Sequence, residues 1–531
     1  MLAWSEPKLL LSQKMSLLTT TLLNPRNFRL VIAALATTCI LSVLLFFPPG
    51  SQTSTASLDI KPAAGASDLQ TSAVPSTSTV VDLTPAETAL LTDLTQYFTD
   101  HPIQKPYKEK YGELGRRLRI VRNWLTLAQA SHNPTTRAVY ADAVEQVARA
   151  QFPFLTHPNN PTTSTQPIAH LRASFEPQSA GIVIPTSDKT VRYAAHLIGA
   201  LRTVLHSTLP IQVVYAGDTD LSPAHRDLLG TLAGPDPAPA IEFLDILTVF
   251  DDATLQLRTG GWAIKAFAAL ASRFETVILA DADAVFLQRP EVLLRHEAVT
   301  TRGALLFHDR LLWPHAFAGR HQWWHDQIRR PSGEMNASRV WTEEYAEEGD
   351  SGLVVLNKGR VDVFVGLLHI CWQNSFEVRE ETTYKITYGD KESWWFGLEL
   401  AGAEYAFSPH YGGIVGWERE EEVDESGVVV QVQGSGVCSF VIAHVDAKDR
   451  LLWYNGSLLK NKGQPGMENE YRVPDKWMID ADWIKGERKQ DQSCMVNGVV
   501  RDLTDEEKGI LARSIELAKS LDGLVQPVQP L

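Results

Sequence analysis

A chain of 531 residues, 44% hydrophobic and 21% charged, carries enough apolar surface for a large core and is too long for a single small one. Its formal net charge of −14 argues against a general nucleic-acid binder, because phosphate contacts need clustered Lys and Arg. The four cysteines make no disulfide framework: Cys39 lies in an apolar run, and the pairing of Cys371, Cys438 and Cys494 stays open.

Residues 1–29 hold Lys8, Lys14, Arg26 and Arg29 against one acid, Glu6. Leu30–Phe47 follows with no charge and is just long enough to span a bilayer core. No charge follows until Asp59, so the asymmetry predicts a cytoplasmic tail, an anchor over 30–47 and a chain continuing across the membrane. The region before the apolar run is long for a cleaved signal peptide, which favours an uncleaved anchor. Residues 48–83, rich in Ser, Thr, Ala, Pro and Gly, cannot bury enough surface to offset their ordering entropy and read as a flexible stem.

Order is expected to begin at Thr84, where Pro85 and Glu87 complete a capping box. Residues 84–177 read as a helical lead-in without evident chemistry. From 178 to 531 the pattern becomes that of one catalytic domain. "GIVIP" (181–185), "IQVVYAG" (211–217), "IEFLDI" (241–246) and "TVILA" (276–280) are strand-like apolar runs. Helical spacing lies between them, including a stripe from Ala263 through Phe267, Leu270 and Ala271 to Phe274. Such alternation predicts an α/β fold, a mostly parallel sheet flanked by helices. An amphipathic helix is expected after Thr504, and Asn336 and Asn455 stand in glycosylation sequons.

The last strand ends in Asp281-Ala-Asp283, at the strand end where such sheets bind ligands. Residues i and i+2 of an extended segment share a face, so both carboxylates can point at one cation, Mg²⁺ or Mn²⁺, that also takes phosphate oxygens. Two other readings suit these letters. The aspartates can cap a turn, or the run "VILADADAV" can be the motif of a haloacid-dehalogenase-type phosphatase with Asp281 as nucleophile. Against the phosphatase, about 100 residues of strand and helix precede the motif, and "GDKE" (389–392) places its Lys in the wrong order.

Four ordered blocks carry a further reading: "GGWAIKAFAALASRFETVILADADAVFLQRPEVLL" (260–294), "EEGDSGLVVLNK" (347–358), "YGDKESWWFGLELAG" (388–402) and "IAHVDAKDRLLWYNGSLLKNK" (442–462). With them the chain resembles the fungal Golgi α-mannosyltransferases. The resemblance implies a GT-A glycosyltransferase fold in a single-pass type II Golgi membrane protein with a lumenal catalytic domain. It further implies GDP-mannose as donor, a mannose-containing glycan as acceptor and Mn²⁺ as cofactor. Position by position, Asp281 and Asp283 match the metal and diphosphate motif, and His444 matches a third metal ligand, with His410 as competitor. Lys265 matches a donor contact, as does the turn Gly349–Gly352. Asp390 and Glu392 match an acidic pair near the anomeric carbon, and Asp350 joins them as a catalytic candidate. Thr186 after the first strand, Tyr193 in the next helix, and Asn455 and Gly456 in the last block complete the candidate donor-binding set. Each has a bland counterpart: Lys265 as a solvated lysine, Asp390 as a helix cap, His444 as a core histidine, and Trp394, Trp395 and Phe396 as core.

The reaction expected is retaining transfer of mannose to a mannose hydroxyl, α-1,3 or α-1,2. It would run through an Asp390 or Glu392 nucleophile or by same-face attack in which the leaving phosphate accepts the proton. A UDP-sugar transferase and a non-catalytic lumenal lectin are the remaining alternatives.

Overall fold

The apolar runs assemble in a computed structural model that describes residues 83–525, except 235–237, 420–421, 424–428, 431–434, 465 and 486–491. The expected tail, anchor and nearly all of the stem lie outside the described residues. Among the described residues, no helix is long and apolar enough to cross a membrane.

In chain order the strands are β1 (Glu176–Pro185), β2 (Ile211–Tyr215), β3 (Ile241–Asp245), β4 (Phe274–Ala280), β5 (Ala284–Phe286), β6 (Ala304–His308), β7 (Gly349–Asn357) and β8 (Ala406–Phe407). All but β5 build one sheet of order β3-β2-β1-β4-β7-β6-β8. Its pairings are parallel except those of β7, which runs antiparallel to both β4 and β6. The sheet is therefore mixed, with β7 alone opposed, and the α/β class stands. Strands such as Ile182–Ile184 and Val277–Leu279 are sealed from solvent on both faces, which is why they read as unbroken apolar runs.

Two boundaries differ from the sequence reading. β1 starts at Glu176, ahead of the apolar run, because Glu176 pairs with Phe274. There Gly181 is needed for close approach: a Cβ would come within 2.3 Å of the Phe274 ring. Phe274 itself opens β4 instead of closing the preceding helix, Ile264–Ala271. That helix stops where the ammonium of Lys358 takes the carbonyls of Ala269 (3.0 Å), Leu270 (2.9 Å) and Ser272.

The lead-in forms helices Pro85–Asp100, Tyr111–Ala130 and Pro134–Gln151, followed by a 3₁₀ turn and two short α-helices. The capping box at Thr84 is present, Asn133 caps the third long helix, and Pro85 and Pro134 sit where a missing N–H costs nothing. These helices share the core of the sheet. Tyr111 is fully buried, with ring centroids 4.9 Å from both Trp323 and Trp372. Arg119 donates to the carbonyls of Leu400 and Glu399, at the end of helix Ser393–Ala401. Trp394, Trp395 and Phe396 of that helix are buried, so the core reading of this aromatic cluster holds.

The helix expected after Thr504 spans Asp505–Asp522, also with a capping box. It docks on helix Val191–Gly199 through Asp522, which meets Arg192 at 2.6 Å and His196 at 2.8 Å. Cys438 and Cys494 form a disulfide across strands Gly436–Ser439 and Ser493–Val496, leaving Cys371 buried and free.

Candidate active site

β4 ends at Ala280, and the chain turns at once, with Ala284 N–H donating to Asp281 O at 3.0 Å. Asp281 and Asp283 thus sit on a turn and not on an extended segment, which corrects the expectation that alternation aims both at one point. Each carboxylate has its own ammonium: Asp281 Oδ1 lies 2.8 Å from Lys265 Nζ, and Asp283 pairs with Lys462.

Lys265 is not a solvated helix residue. It is 4% exposed, and its ammonium also meets Asp390 Oδ2 (3.3 Å), Ser351 O (2.7 Å) and Ser351 Oγ (2.9 Å). Burial alone would favour its neutral form, but Asp281 and Asp390 outweigh that and hold its pKa above the ordinary lysine value. The lysine therefore ties the end of β4, the start of β7 and the approach to helix Ser393–Ala401 to one point.

Asp390 and Glu392 are both buried, yet they do different things. Asp390 Oδ2 also accepts from Trp394 Nε1 (2.9 Å), so its carboxylate goes to the lysine and an indole and not to a helix cap. Both oxygens of Glu392 are taken: by the amides of Glu348 (3.1 Å) and Gly349 (3.4 Å) and by Trp395 Nε1 (2.6 Å). Burial pushes the pKa of Glu392 up to about 8, against the pull of Arg320. Its geometry is that of an anchor for the turn entering β7.

Asp350, at the start of β7, is held from three sides. Oδ1 accepts from Gly352 N–H (2.9 Å) and Asn455 Nδ2 (3.0 Å), and Oδ2 lies 3.0 Å from His444 Nε2. Burial would raise its pKa, but His444, Lys391 and the Gly352 amide bring it below the ordinary carboxylate range. His444 lies inside strand Ile442–Val445, stacked on Trp453 at 4.4 Å. Among the described residues, no group of three or more His, Cys, Asp or Glu is arranged to hold a metal ion. The expected trio of Asp281, Asp283 and His444 is therefore not assembled, because His444 is committed to Asp350. Its competitor His410 is held between Asp449 (2.9 Å) and Asp480 (2.8 Å).

Asn455 turns its amide inward to Asp350, whereas Asn336 of the other sequon is exposed, with its Ser338 buried. Gly456 has φ +140° and no room for a Cβ, which would lie 2.8 Å from Val441. This conformation lets Ser457 N–H reach Asp283 O at 2.8 Å and pins the aspartate's backbone. Tyr193 lines a small apolar cavity with Asp283 and Ser457, and Lys462 stands 5.8 Å over its ring. Thr186 follows β1 with its amide donating to Val214 O; its hydroxyl is buried and meets no partner among the described residues.

Sequence reasoning missed Lys462, Ser351 as a side-chain partner of Lys265, and the two indole donors. Lys462 closes the last of the quoted blocks, but no local pattern ties it to Asp283, 179 residues away.

Fold and site together define an α/β protein with an acidic, lysine-bridged centre at the carboxyl end of a sheet strand. Residues 179–446, half of the chain, match the family described as "Mannosyltransferase putative", and the chain belongs to that family. It is 29% identical over 321 residues to alpha-1,3-mannosyltransferase MNT3 of Saccharomyces cerevisiae, covering 55% of this chain and 49% of that one. It is 25% identical over 307 residues to alpha-1,3-mannosyltransferase MNT2 of the same yeast, covering 53% and 52%. The chain thus spans about half the length of the curated relatives it matches. Among solved structures, the S. cerevisiae mannosyltransferase Ktr4p aligns over 60% of this chain and 84% of its own, at 9% identity and a TM-score of 0.29, a likeness too slight to bear on the fold.

Proposed function

We propose that the chain is a retaining, metal-dependent α-mannosyltransferase of GT-A type. It would move mannose from GDP-mannose to a mannose hydroxyl on a protein-linked glycan, forming an α-1,3 bond in the Golgi. The observation that carries this reading is Lys265, a buried ammonium joining Asp281 to Asp390 at the end of β4. The names of the relatives support the sugar and the linkage.

The donor set suits Mn²⁺ in the mode that needs only one or two protein carboxylates, the remaining positions going to substrate phosphate and water. Asp281 and Asp283 would hold it; each already faces a cationic lysine head. When bound, the ion supplies positive charge for the departing diphosphate. Lys265 orients the carboxylates of both Asp281 and Asp390. Asp390 is the carboxylate left to act at the anomeric carbon, as nucleophile or as a fixed negative charge beside a cationic transition state. Glu392 is a positioning residue, since both its oxygens are occupied. Asp350, with His444 and Asn455, holds the turn that carries Ser351 to Lys265. In a same-face reaction the acceptor hydroxyl gives its proton to the leaving phosphate, and the protein need supply no base.

Calorimetry on residues 83–531, stripped of metal, tests the reading with GDP-mannose and a UDP-sugar, with and without Mn²⁺, in the parent and in Asp283→Asn. The expected result is Mn²⁺-dependent binding of GDP-mannose alone, lost in the variant. Preference for a UDP-sugar would overturn the mannose assignment, and absence of metal-dependent nucleotide binding would overturn the transferase reading.

A further inference from the structure

A cavity of about 500 Å³ opens on the far side of β7 from β4, and its chemistry differs from that of the lysine-bridged centre. One wall is a stack of three rings. His308, at the end of β6, lies between Phe407 (centroids 4.2 Å, planes at 11°) and Tyr411 (4.0 Å, 24°). Behind the stack, His308 Nδ1 lies 2.6 Å from the buried Glu348 carboxylate, and Tyr411 is fixed by its OH, which accepts from Arg339 N–H at 2.8 Å. Trp483, half-buried, forms another part of the wall, its indole N–H donating to Gly412 O at 2.9 Å. Asp480 and Asp482 also line it, with Asp480 paired to His410 and Asp482 exposed.

The register places this cavity beside the reaction centre. His308 pairs with Gly349 and Phe307 with Asp350 across β6 and β7. Glu348, whose carboxylate lies beside His308, has its own amide bound by Glu392. The same short segment, 348–350, therefore lies beside His308 of the cavity wall and forms the turn entering β7.

The lining disfavours the nucleotide sugar as occupant. Glu334 is paired with Arg302 and Asp480 with His410, which leaves the exposed Asp482 carboxylate to repel a diphosphate, and the lining guanidinium, Arg339, is paired with Glu343 at 2.8 Å. Carboxylates that accept hydroxyl hydrogen bonds, set among aromatic rings that receive the apolar face of a ring, suit a neutral polyol, and the volume lies within the range for small-molecule sites. We propose that this cavity is a saccharide subsite that holds the acceptor glycan against β6 and β8. Its designation as acceptor subsite rests on the transferase reading above; its capacity for an uncharged saccharide does not.

Ligand-observed NMR with α-linked mannobiose, with and without GDP, tests the subsite directly in the parent, in Trp483→Ala and in Asp482→Asn. Thermal unfolding of each variant checks that the fold is kept. The expected result is disaccharide binding in the parent, weakened at least tenfold in Trp483→Ala and severalfold in Asp482→Asn, while GDP-mannose affinity changes less than twofold. No disaccharide binding in the parent under either condition, or equal binding in parent and both variants, overturns the inference. So does a parallel loss of GDP-mannose affinity, which would give these residues to the donor. Disaccharide binding with the expected losses, in a protein that binds no nucleotide sugar, supports the subsite while counting against the transferase reading.

Discussion

Lys265 Nζ stands 2.8 Å from Asp281 Oδ1 at the end of β4, and the same ammonium reaches Asp390 at 3.3 Å. Replacing it with Met would leave two acids facing each other without a cation. Breaking a buried pair in this way costs roughly 3–5 kcal/mol. We expect Lys265→Met to lower the urea unfolding free energy by that order and to reduce mannose transfer at least 100-fold. Lys265→Arg should not rescue it, since Ser351 O and Oγ at 2.7 and 2.9 Å are spaced for an ammonium and not for a planar fork.

Asp390 and Glu392, two residues apart, should separate in their phenotypes. Asp390→Asn keeps the size of the side chain and an acceptor for Trp394, so the fold should survive while kcat falls at least 100-fold. Glu392→Ala leaves two buried amides and an indole N–H without a partner, each worth about 1–3 kcal/mol. Its melting temperature should fall markedly. A stable, inactive Glu392→Ala protein would instead make Glu392 the catalytic carboxylate.

His369 is fully buried, its Nε2 3.0 Å from Tyr111 O, and burial pushes its pKa down to about 4. The unfolded chain therefore binds more protons than the folded one between the ordinary histidine pKa of about 6.5 and that value, so stability falls as pH drops through this window. The span corresponds to roughly 3 kcal/mol. In His369→Gln the stability gap to the parent should shrink by that order between pH 7 and pH 4, read from urea midpoints. A pH-independent gap would show that the imidazole is not protonation-linked to folding.

Asp522 clamps the last helix to the helix that carries Tyr193, and it also accepts from Tyr471 OH at 2.6 Å. Burial opposes its ionisation, but Arg192, Tyr471 and His196 bring its pKa down to about 2. Its contribution is thus present above the ordinary carboxylate pKa and is lost as pH falls from there through about 2. Asp522→Ala should cost about 1–3 kcal/mol and expose the 505–522 helix to proteolysis first. It should weaken donor binding only indirectly, through Tyr193.

The Cys438–Cys494 disulfide closes a loop over a separation of 56 residues. On the chain-entropy account its reduction should cost roughly 4 kcal/mol. Reductant should therefore lower the unfolding midpoint of the parent and leave that of a Cys438→Ala/Cys494→Ala protein unmoved.

Much of this molecule is determined locally. The strands were legible because a strand covered on both faces must be apolar throughout, as in Ile182–Ile184. The helix start at Thr84 was legible because a capping box is complete within four residues, and the helix after Thr504 because its sequence is amphipathic. The paired aspartates announced themselves by ending an apolar run. What these residues do was decided elsewhere. The turn after Ala280 gave Asp281 to Lys265 and Asp283 to Lys462, and β7, inserted antiparallel between β4 and β6, brought Ser351 to Lys265 across 86 residues. His444 was given to Asp350 across 94 residues, Glu392 to the amides before β7, and the lead-in helices to the core of the sheet. Periodicity and capping act over a few residues, whereas the partner of a buried charge depends on the order of strands in the sheet, which no local pattern encodes.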